Sequence, residues 1–370
     1  MKILFVVNWY IPNTSVASFF HREQAIELQQ YCDIRLYWPI DPNVAGLQFT
    51  NENGLDVYRS SYNNKMSKFR WFKNTLEYFD KIIDEFSPDI IHANVAYPVG
   101  LVALLAARKH KIHVILTEHS PIEQMRLENP VYKLIRSFVY NKMERNICVS
   151  INLMNRLKVI FPKANYEVIY NGAINPNTIV NDNLSYRREG MINCVIVANF
   201  YNKEIKGYQY LLPAIHILKE QGVNIVLHIC GSGTYESYYR KMAKEINIED
   251  SCIFYGQCDR KKVYSIISQM DFCISSSIFE SAGVFIEEAM MLGKPVIVTK
   301  SGGSDSLVKD FTAIVVEHSS TNALVAGLKQ MIKQYMMFDK KKISEYALNN
   351  FDISIITKKY VELYKAILSE

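Results

Sequence analysis

Two glutamates separated by seven residues stand in the stretch ESAGVFIEEAMMLGKPVIV, which runs from Glu280 to Val298. Glu280 follows the strand-like run DFCISSS, and Glu288 lies on the helix that VFIEEAMML predicts. A carboxylate can accept two hydrogen bonds from vicinal sugar hydroxyl groups, and each such bond is worth about 1.5–3 kcal/mol. The spacing therefore favours a site in which two acids hold two sugar rings.

The residues between the two acids favour an anion site. Gly283 opens the predicted helix, and its missing side chain lets a ligand approach the first unbonded backbone N–H groups. Those amides and the helix dipole suit a phosphate, so the region describes a nucleotide-sugar site. The simpler interpretation is that Glu280, Glu287 and Glu288 are ordinary acids that complement the dipole. For Glu287 we retain that simpler interpretation.

The overall composition indicates a globular protein of two domains. The chain has 370 residues, of which 49% are hydrophobic and 21% charged. A formal charge of +5 is too mild to indicate nucleic acid, and it suits an anionic ligand or membrane surface. The start MKILFVVNWYIP lacks a small-residue cleavage site, so we expect a first strand rather than a signal peptide. The seven cysteines form no CxxC pair, which favours reduced thiols in a cytoplasmic protein without a zinc site.

Short apolar runs alternate with amphipathic stretches in two series, from 2–8 to 166–172 and from 194–200 to 313–317. Continuous apolar strands separated by helices predict parallel sheets that are covered on both faces. The Asn-rich segment 171–193 divides the two series and is predicted to be a linker. We therefore expect an α/β protein with two Rossmann-like, doubly wound parallel-sheet domains that face a cleft. Ligands of such sheets bind at the carboxyl ends of the strands.

The sequence resembles the retaining, family 4 glycosyltransferases of GT-B architecture. The most specific likeness is E-x7-E followed by A-M and G-K-P-V, and the segments VILTEHS, VIYNG, VANFYNKEIKG and LHICGSG occur in the expected order. The resemblance implies transfer of a sugar from a nucleotide-diphosphate sugar, with a UDP-sugar favoured, and retention of anomeric configuration. The implied acceptor is a glycan or polyprenyl-linked glycan in surface polysaccharide biosynthesis.

The resemblance also implies a division of the chain. Residues 1–175 would form an acceptor-binding domain and residues 190–350 a donor-binding domain. Residues 351–370 would form a helix that packs back on the N-terminal domain.

Roles of the family carry over to matching residues. Glu280 would bind the transferred sugar, with help from the amides of residues 281–283, and Glu288 would hold the ribose. Lys206 would neutralise the diphosphate, and His119 would line the reaction centre from the acceptor side. Outside the resemblance, the simpler interpretations are a surface lysine for Lys206 and a core histidine for His119. Further donor-binding candidates are Asn199, Lys203, Ser281, Ala282, Gly283 and Gly231, and the acceptor-side candidates are His92 and Ser18.

Four places depart from the family pattern, and one of them is Ser306, which replaces the acid of the last GG-x-x-E pattern. Asn199 stands where an arginine is usual, so Lys203 or Lys206 must carry more of the diphosphate charge. The Gly-Gly of the first loop is replaced in residues 16–18, and Ala282 replaces a common phenylalanine. These changes affect individual site residues and leave the fold prediction intact.

The sequence lacks the D-x-D pattern that binds a divalent ion in the other main glycosyltransferase architecture. We therefore expect a metal-independent enzyme without cofactors. Segment 63–83 mixes Lys, Arg, Trp and Phe, and we expect it to lie on anionic lipid at the inner face of the cell membrane. The simpler interpretation is an amphipathic helix that covers its own core.

Two alternative functions remain open. HICGSGTYE follows a strand and opens a helix, as in an NAD-dependent dehydrogenase, but Glu236 stands where the third glycine belongs. A GT-B-shaped sugar-nucleotide epimerase or non-catalytic binding module would share the donor site. Glycoside formation distinguishes the transferase from both alternatives.

Overall fold

The computed structural model describes residues 1–10, 20–61, 67–179 and 184–370. The strands are β1 (Lys2–Val6), β2 (Asp33–Asp41), β3 (Leu47–Glu52), β4 (Leu55–Ser61), β5 (Ile90–Asn94), β6 (His113–Glu118), β7 (Arg145–Cys148), β8 (Tyr166–Val168), β9 (Ile192–Val197), β10 (Ile225–Cys230), β11 (Cys252–Gly256), β12 (Phe272–Ser275), β13 (Val296–Thr299) and β14 (Ala313–Val316). The helices are α1 (Phe20–Leu28), α2 (Lys68–Phe86), α3 (Leu101–His110), α4 (Pro130–Lys142), α5 (Ile151–Ile160), α6 (Tyr208–Glu220), α7 (Glu236–Glu245), α8 (Arg260–Gln269), α9 (Val284–Met291), α10 (Ser304–Leu307), α11 (Thr321–Gln334), α12 (Lys340–Phe351) and α13 (Ile353–Ser369).

The chain divides into two compact units. Unit 1 contains the described residues from 1 to 171 together with Ile353–Glu370, and unit 2 contains those from Gly172 to Asp352. The last helix, α13, belongs to unit 1, where its buried side chains share one apolar core with those of β1 and β2.

The sheet of unit 1 has eight strands in the order β3-β4-β2-β1-β5-β6-β7-β8. All neighbouring pairs are parallel except β3 and β4, which are antiparallel. Asn53 and Gly54 join these two strands with φ of 53° and 87°, the left-handed turn geometry that Asn-Gly favours. The sequence analysis missed β3 because LQFTNE is largely exposed and carries little apolar signal.

The sheet of unit 2 has six strands in the order β11-β10-β9-β12-β13-β14, and every pair is parallel. Strands β10, β12 and β13 are buried along their whole length, which explains their continuous apolar sequences. The prediction of two Rossmann-like parallel sheets is confirmed. The carboxyl ends of β9, β10 and β12 lead into the loops that carry most of the predicted donor residues.

Helix α9 is short and sharply bounded. Gly283 precedes its first residue, and Gly293 follows its end with φ of 70°. A Cβ atom at Gly293 would lie 2.7 Å from the Lys340 carbonyl oxygen, so a larger residue would push the start of α12 away. This left-handed glycine ends the helix and turns the chain into buried strand β13.

Candidate active site

Lys206 and Glu280 contact each other at the carboxyl edge of the unit 2 sheet. Lys206 Nζ lies 2.9 Å from Glu280 Oε1, and the two side chains are 28% and 23% exposed. Lys206 follows β9 and Glu280 follows β12, and these strands are parallel neighbours. The topology therefore joins two predicted site residues that are 74 positions apart in sequence.

A small cavity with both polar and apolar walls adjoins this ion pair. Its walls include Ser275, Ser277, Ser304 and Gly283, together with the ion pair itself and apolar side chains of β9, β12 and α9. A Cβ atom at Gly283 would lie 2.6 Å from Ser304 Oγ, so the close approach of these two segments requires glycine. Hydroxyl groups and the start of α9 thus surround a space next to an ammonium and a carboxylate, which suits an anionic, hydroxyl-rich ligand.

The loop that carries Glu280 is held by backbone packing. The Glu280 N–H donates to the Ser301 carbonyl oxygen at 2.9 Å. A Cβ atom at Gly303 would lie 2.7 Å from Ala282 N and 2.8 Å from the Glu280 carbonyl oxygen. The segment after β13 therefore restricts the position of Glu280, of the half-buried Ser281 and of buried Ala282.

The other donor-site candidates lie in the loops after β9 and β10. Gly231 has φ of 153°, and a Cβ atom there would lie 2.1 Å from the Ala198 carbonyl oxygen. The N–H of residue 232 donates to Asn199 Oδ1 at 3.4 Å. Asn199 thus ties the two loops together at the position where the similar family has an arginine. Lys203 Nζ lies 4.3 Å from the centre of the Tyr238 ring in a cation–π contact.

Glu288 lies one residue beyond the first turn of α9 and is 8% exposed. Its Oε1 accepts a hydrogen bond of 2.7 Å from the Tyr264 hydroxyl. The sequence analysis did not single out Tyr264, because nothing in the local pattern of α8 shows which helix its buried side chains face. The ribose-binding role of Glu288 stays a prediction.

Glu287 differs from the expectation. It has no exposed surface, and neither carboxylate oxygen has a hydrogen-bond partner among the described residues. Burial, and after it the negative charge of Glu288, raise the pKa of Glu287 to about 8. The carboxyl is therefore mainly neutral at pH 7. The expectation of an ordinary ionised acid was wrong because α9 buries this position.

His119 follows β6 at the carboxyl edge of the unit 1 sheet. Its Nε2 lies 2.9 Å from Asn94 Oδ1, so Nε2 carries the proton and Nδ1 is the basic nitrogen. Burial lowers the pKa of His119 to about 3, although the neighbouring Asn171 side chain opposes the shift. Asn94 is itself fixed, since its side-chain amide donates to the Val6 carbonyl oxygen at 3.1 Å. The result is a neutral imidazole of defined tautomer.

The buried carboxylate of Glu118 fixes the loop that carries His119. One oxygen accepts from the Ala96 N–H at 3.0 Å and from the Tyr140 hydroxyl at 2.8 Å. The other oxygen accepts from the Ser120 N–H at 2.8 Å. Sequence reasoning missed this role, for which the available signal was an acid at a strand end directly before a histidine.

An aromatic cluster surrounds His119. The rings of Phe20 and His21, at the start of α1, lie 4.8 Å and 4.9 Å from the His119 ring. Trp9, which is 40% exposed, lies 6.2 Å from His21. Burial, followed by the neighbouring His119, lowers the pKa of His21 well below 6.5. The sequence analysis gave these residues no role, although FFH at a helix start was a usable signal.

His92 does not line a site on the acceptor side. It has no exposed surface, and its ring nitrogens lie 2.6 Å from the Tyr364 hydroxyl and 2.7 Å from Thr117 Oγ1. The assignment was wrong because this position of β5 faces the core that α13 completes. Ser18 lies outside the described residues, so its assignment stays a prediction.

The residues that commonly bind metals were compared for a shared site within the described ranges. All seven cysteines are free, and six of them are buried. Within the described ranges, no three His, Cys, Asp or Glu side chains are grouped so that they could hold a metal ion. Metal independence stays a prediction.

Sequence families match both halves of the chain. Residues 187–349 match "Glycosyl transferases group 1", and residues 25–173 match "Glycosyltransferase Family 4". The chain belongs to the group 1, family 4 glycosyltransferases. The group 1 match contains both Glu280 and Glu288, and it confirms the resemblance to this family, while retention of configuration stays a prediction.

Two relatives with assigned names are distant in sequence. The glycosyltransferase is 26% identical over 314 residues to alpha-monoglucosyldiacylglycerol synthase of Streptococcus pneumoniae, covering 79% of this chain and 69% of that protein. It is 22% identical over 293 residues to N-acetyl-alpha-D-glucosaminyl L-malate synthase of Bacillus anthracis, covering 76% of each.

Solved structures establish the fold. Sucrose-phosphate synthase from Thermosynechococcus elongatus matches over the whole of both chains with a TM-score of 0.81 at 17% identity. HepE of Anabaena, solved in complex with UDP, matches over 99% of this chain and 100% of its own with a TM-score of 0.77 at 16% identity. The predicted GT-B fold is therefore confirmed.

Proposed function

We propose that this glycosyltransferase moves one sugar, with retention of configuration, from a UDP-sugar to a glycan or lipid-linked glycan acceptor. The observation that carries the proposal is the Lys206–Glu280 ion pair beside the cavity at the start of α9. Negative charge grows on the leaving diphosphate in the transition state, and an ammonium and helix amides can stabilise it. Glu280 then accepts hydrogen bonds from the transferred sugar, and Glu288 accepts them from the ribose.

The choice of UDP and of the acceptor class is supported by the relatives. HepE was solved with UDP, with UDP and glucose, and with UDP-glucose. The Streptococcus pneumoniae relative is named as the synthase of a glucosylated diacylglycerol. That name supports the lipid part of the proposed acceptor class.

The proposed reaction needs no protein nucleophile. The bond from the anomeric carbon to the diphosphate oxygen breaks while the acceptor oxygen bonds to the same face of that carbon. The acceptor's proton passes to the leaving phosphate, whose charge Lys206 offsets. The role of His119 stays that of the family resemblance: in unit 1 its neutral imidazole has Nδ1 as the atom that can accept a hydrogen bond from a hydroxyl group.

A donor panel tests the proposal. UDP-sugars should raise the Tm of the wild type, and GDP- and ADP-sugars should raise it less. Glu288→Ala should lose most of the UDP-sugar shift, because hydrogen bonds to the ribose worth about 1.5–3 kcal/mol each disappear. Glu245→Ala, a change at a 62% exposed glutamate, should keep the shift. Stabilisation by NAD alone would favour the dehydrogenase, and an epimerised donor without glycoside would favour the epimerase.

The structure does not favour segment 63–83 as the lipid-binding surface. Trp71, Phe79 and Ile82 of α2 are buried in the core of unit 1, which supports the simpler interpretation of segment 63–83. A helix face that is buried in its own unit is unavailable to lipid. Among the described helices, none is both long and apolar enough to cross a bilayer.

Helix α4 offers a better surface for lipid. Its residues Val131, Leu134 and Phe138 are 61%, 72% and 37% exposed, and its sequence PVYKLIRSFVYNK has no acid and two exposed bases, Lys133 and Lys142. Phe69, which is 78% exposed, lies nearby, because the preceding lysine of α2 donates to the Tyr132 hydroxyl at 3.3 Å. Exposed apolar residues among bases suit an anionic bilayer surface.

Vesicle flotation tests this surface. The wild type should float with vesicles that contain phosphatidylglycerol at low salt and should be released at high salt. Leu134→Glu should reduce flotation several-fold, because it places a charge in the apolar part of the surface. Val159→Glu changes an 83% exposed residue of α5 and should float like the wild type. Equal flotation of both variants would contradict the assignment to α4.

A further inference from the structure

A buried tyrosine holds the carboxylate that we assign to the ribose. Tyr264 of α8 is 1% exposed, and its hydroxyl donates to Glu288 Oε1 of α9 at 2.7 Å. The start of α8 is fixed by Asp259, whose carboxylate accepts from the Lys262 N–H at 2.8 Å. The Arg260 guanidinium lies 5.9 Å from the centre of the Tyr264 ring. The hydroxyl therefore belongs to a packed and capped helix.

We propose that Tyr264 is a positioning residue for the nucleotide: its hydroxyl holds the Glu288 carboxylate in the rotamer that meets both ribose hydroxyls. This inference rests on the proposed function, because it takes Glu288 as the ribose ligand. Tyr264 itself need not touch the nucleotide, so its effect on binding passes through Glu288.

Rotamer fixation explains how one hydroxyl can affect affinity. A glutamate side chain has several rotamers, and a ligand that needs one of them binds more weakly when that rotamer is rarely occupied. A short hydrogen bond to a carboxylate in a buried setting is strong and favours one rotamer. Each carboxylate oxygen has two lone pairs, so a bond from Tyr264 leaves capacity to accept from ribose hydroxyls.

A purely structural explanation makes a different prediction. A buried tyrosine hydroxyl needs a partner, and Glu288 could simply satisfy it. In that case, removal of the hydroxyl would lower stability and would weaken every nucleotide equally. If Tyr264 positions Glu288, the loss of affinity must depend on the ribose hydroxyls.

Calorimetry with UDP and 2′,3′-dideoxy-UDP separates these explanations. Tyr264→Phe keeps the ring and removes the hydroxyl, and it should weaken UDP binding about tenfold, as expected for a bond to a charged group. Its affinity for dideoxy-UDP should stay within twofold of the wild-type value. Tyr346→Phe removes a hydroxyl that donates to the Leu307 carbonyl oxygen at 2.9 Å, and it should leave both affinities unchanged.

Each other outcome has a definite meaning. Equal weakening of both nucleotides, or no weakening of UDP, overturns the positioning role. A wild type that binds both nucleotides equally well overturns the ribose role of Glu288 and thus the proposed donor site, independently of any variant. If Tyr264→Phe folds poorly, the double variant with Glu288→Ala removes the carboxylate that has lost the tyrosine hydroxyl. That double variant should bind UDP within twofold of Glu288→Ala alone, and a further loss overturns the inference.

Discussion

Replacement of Lys206 by methionine should lower kcat by about 10²–10³-fold, the loss that follows removal of one group aimed at developing charge. Methionine keeps much of the length of the side chain and removes its positive charge. The effect should fall on kcat more than on KM, because charge on the diphosphate is greatest in the transition state. Steady-state rates with a UDP-sugar and its acceptor measure the two constants.

The ion pair explains why this change should leave the fold intact. Lys206 Nζ and Glu280 Oε1 are 2.9 Å apart, but both side chains remain partly exposed. Exposed ion pairs contribute about 0–1 kcal/mol, so the variant should keep a Tm close to that of the wild type. In the proposed mechanism, the diphosphate of a bound donor would compete with Glu280 for the ammonium and leave the carboxylate to the sugar hydroxyls.

A matched lysine gives the control for this prediction. Lys241 is 77% exposed, and its Nζ lies 3.6 Å from Glu245 Oε1 on the same helix face. Lys241→Met should keep kcat within twofold of the wild type. If Lys206→Met also stays within fivefold, another cation must offset the diphosphate, and Lys203 would be the next residue to test.

The part of the site that the sequence predicted depends on short-range patterns. The spacing of Glu280 and Glu288 reflects a loop followed by one helical turn, and both elements lie within a single motif. Lys206 was assigned to the site by the family resemblance, and its place after β9 agrees with that assignment because carboxyl ends of parallel strands meet at one edge. Its direct pairing with Glu280 could not be predicted, since that depends on side-chain positions in two separate loops.

The sequence analysis failed where a residue's role depends on how deeply it is buried and on packing between elements that are distant in sequence. His92 and His119 both come near strand ends, yet His92 bonds to Tyr364 of the last helix and is fully buried. Nothing in the local sequence of α8 shows that the buried Tyr264 faces Glu288. Only the packing of each helix against its neighbours decides these contacts, and the local sequence does not encode which neighbour it will be.

The second large effect concerns stability and arises from Glu287. Its folded-state pKa is raised from 4.5 to about 8, so the folded protein holds this proton more tightly than the unfolded chain does. The contribution of Glu287 to the free energy of unfolding therefore falls as pH rises from about 4.5 and levels off above about 8. From the shift, the cost should grow from about 1 kcal/mol at pH 5 to about 4 kcal/mol at pH 8.

Glu287→Gln should remove this pH dependence. Glutamine has nearly the same shape and no charge, but its buried amide also lacks partners, which costs stability by an amount independent of pH. The diagnostic quantity is therefore how the Tm of the variant minus that of the wild type changes with pH. This difference should rise steadily from pH 5 to pH 8 and level off above about pH 8. Glu245→Gln, at a 62% exposed position, should show a difference that does not change with pH. If the Tm difference for Glu287→Gln also does not change with pH, the carboxyl ionises near its usual pKa. Water or another polar group would then contact the Glu287 carboxylate.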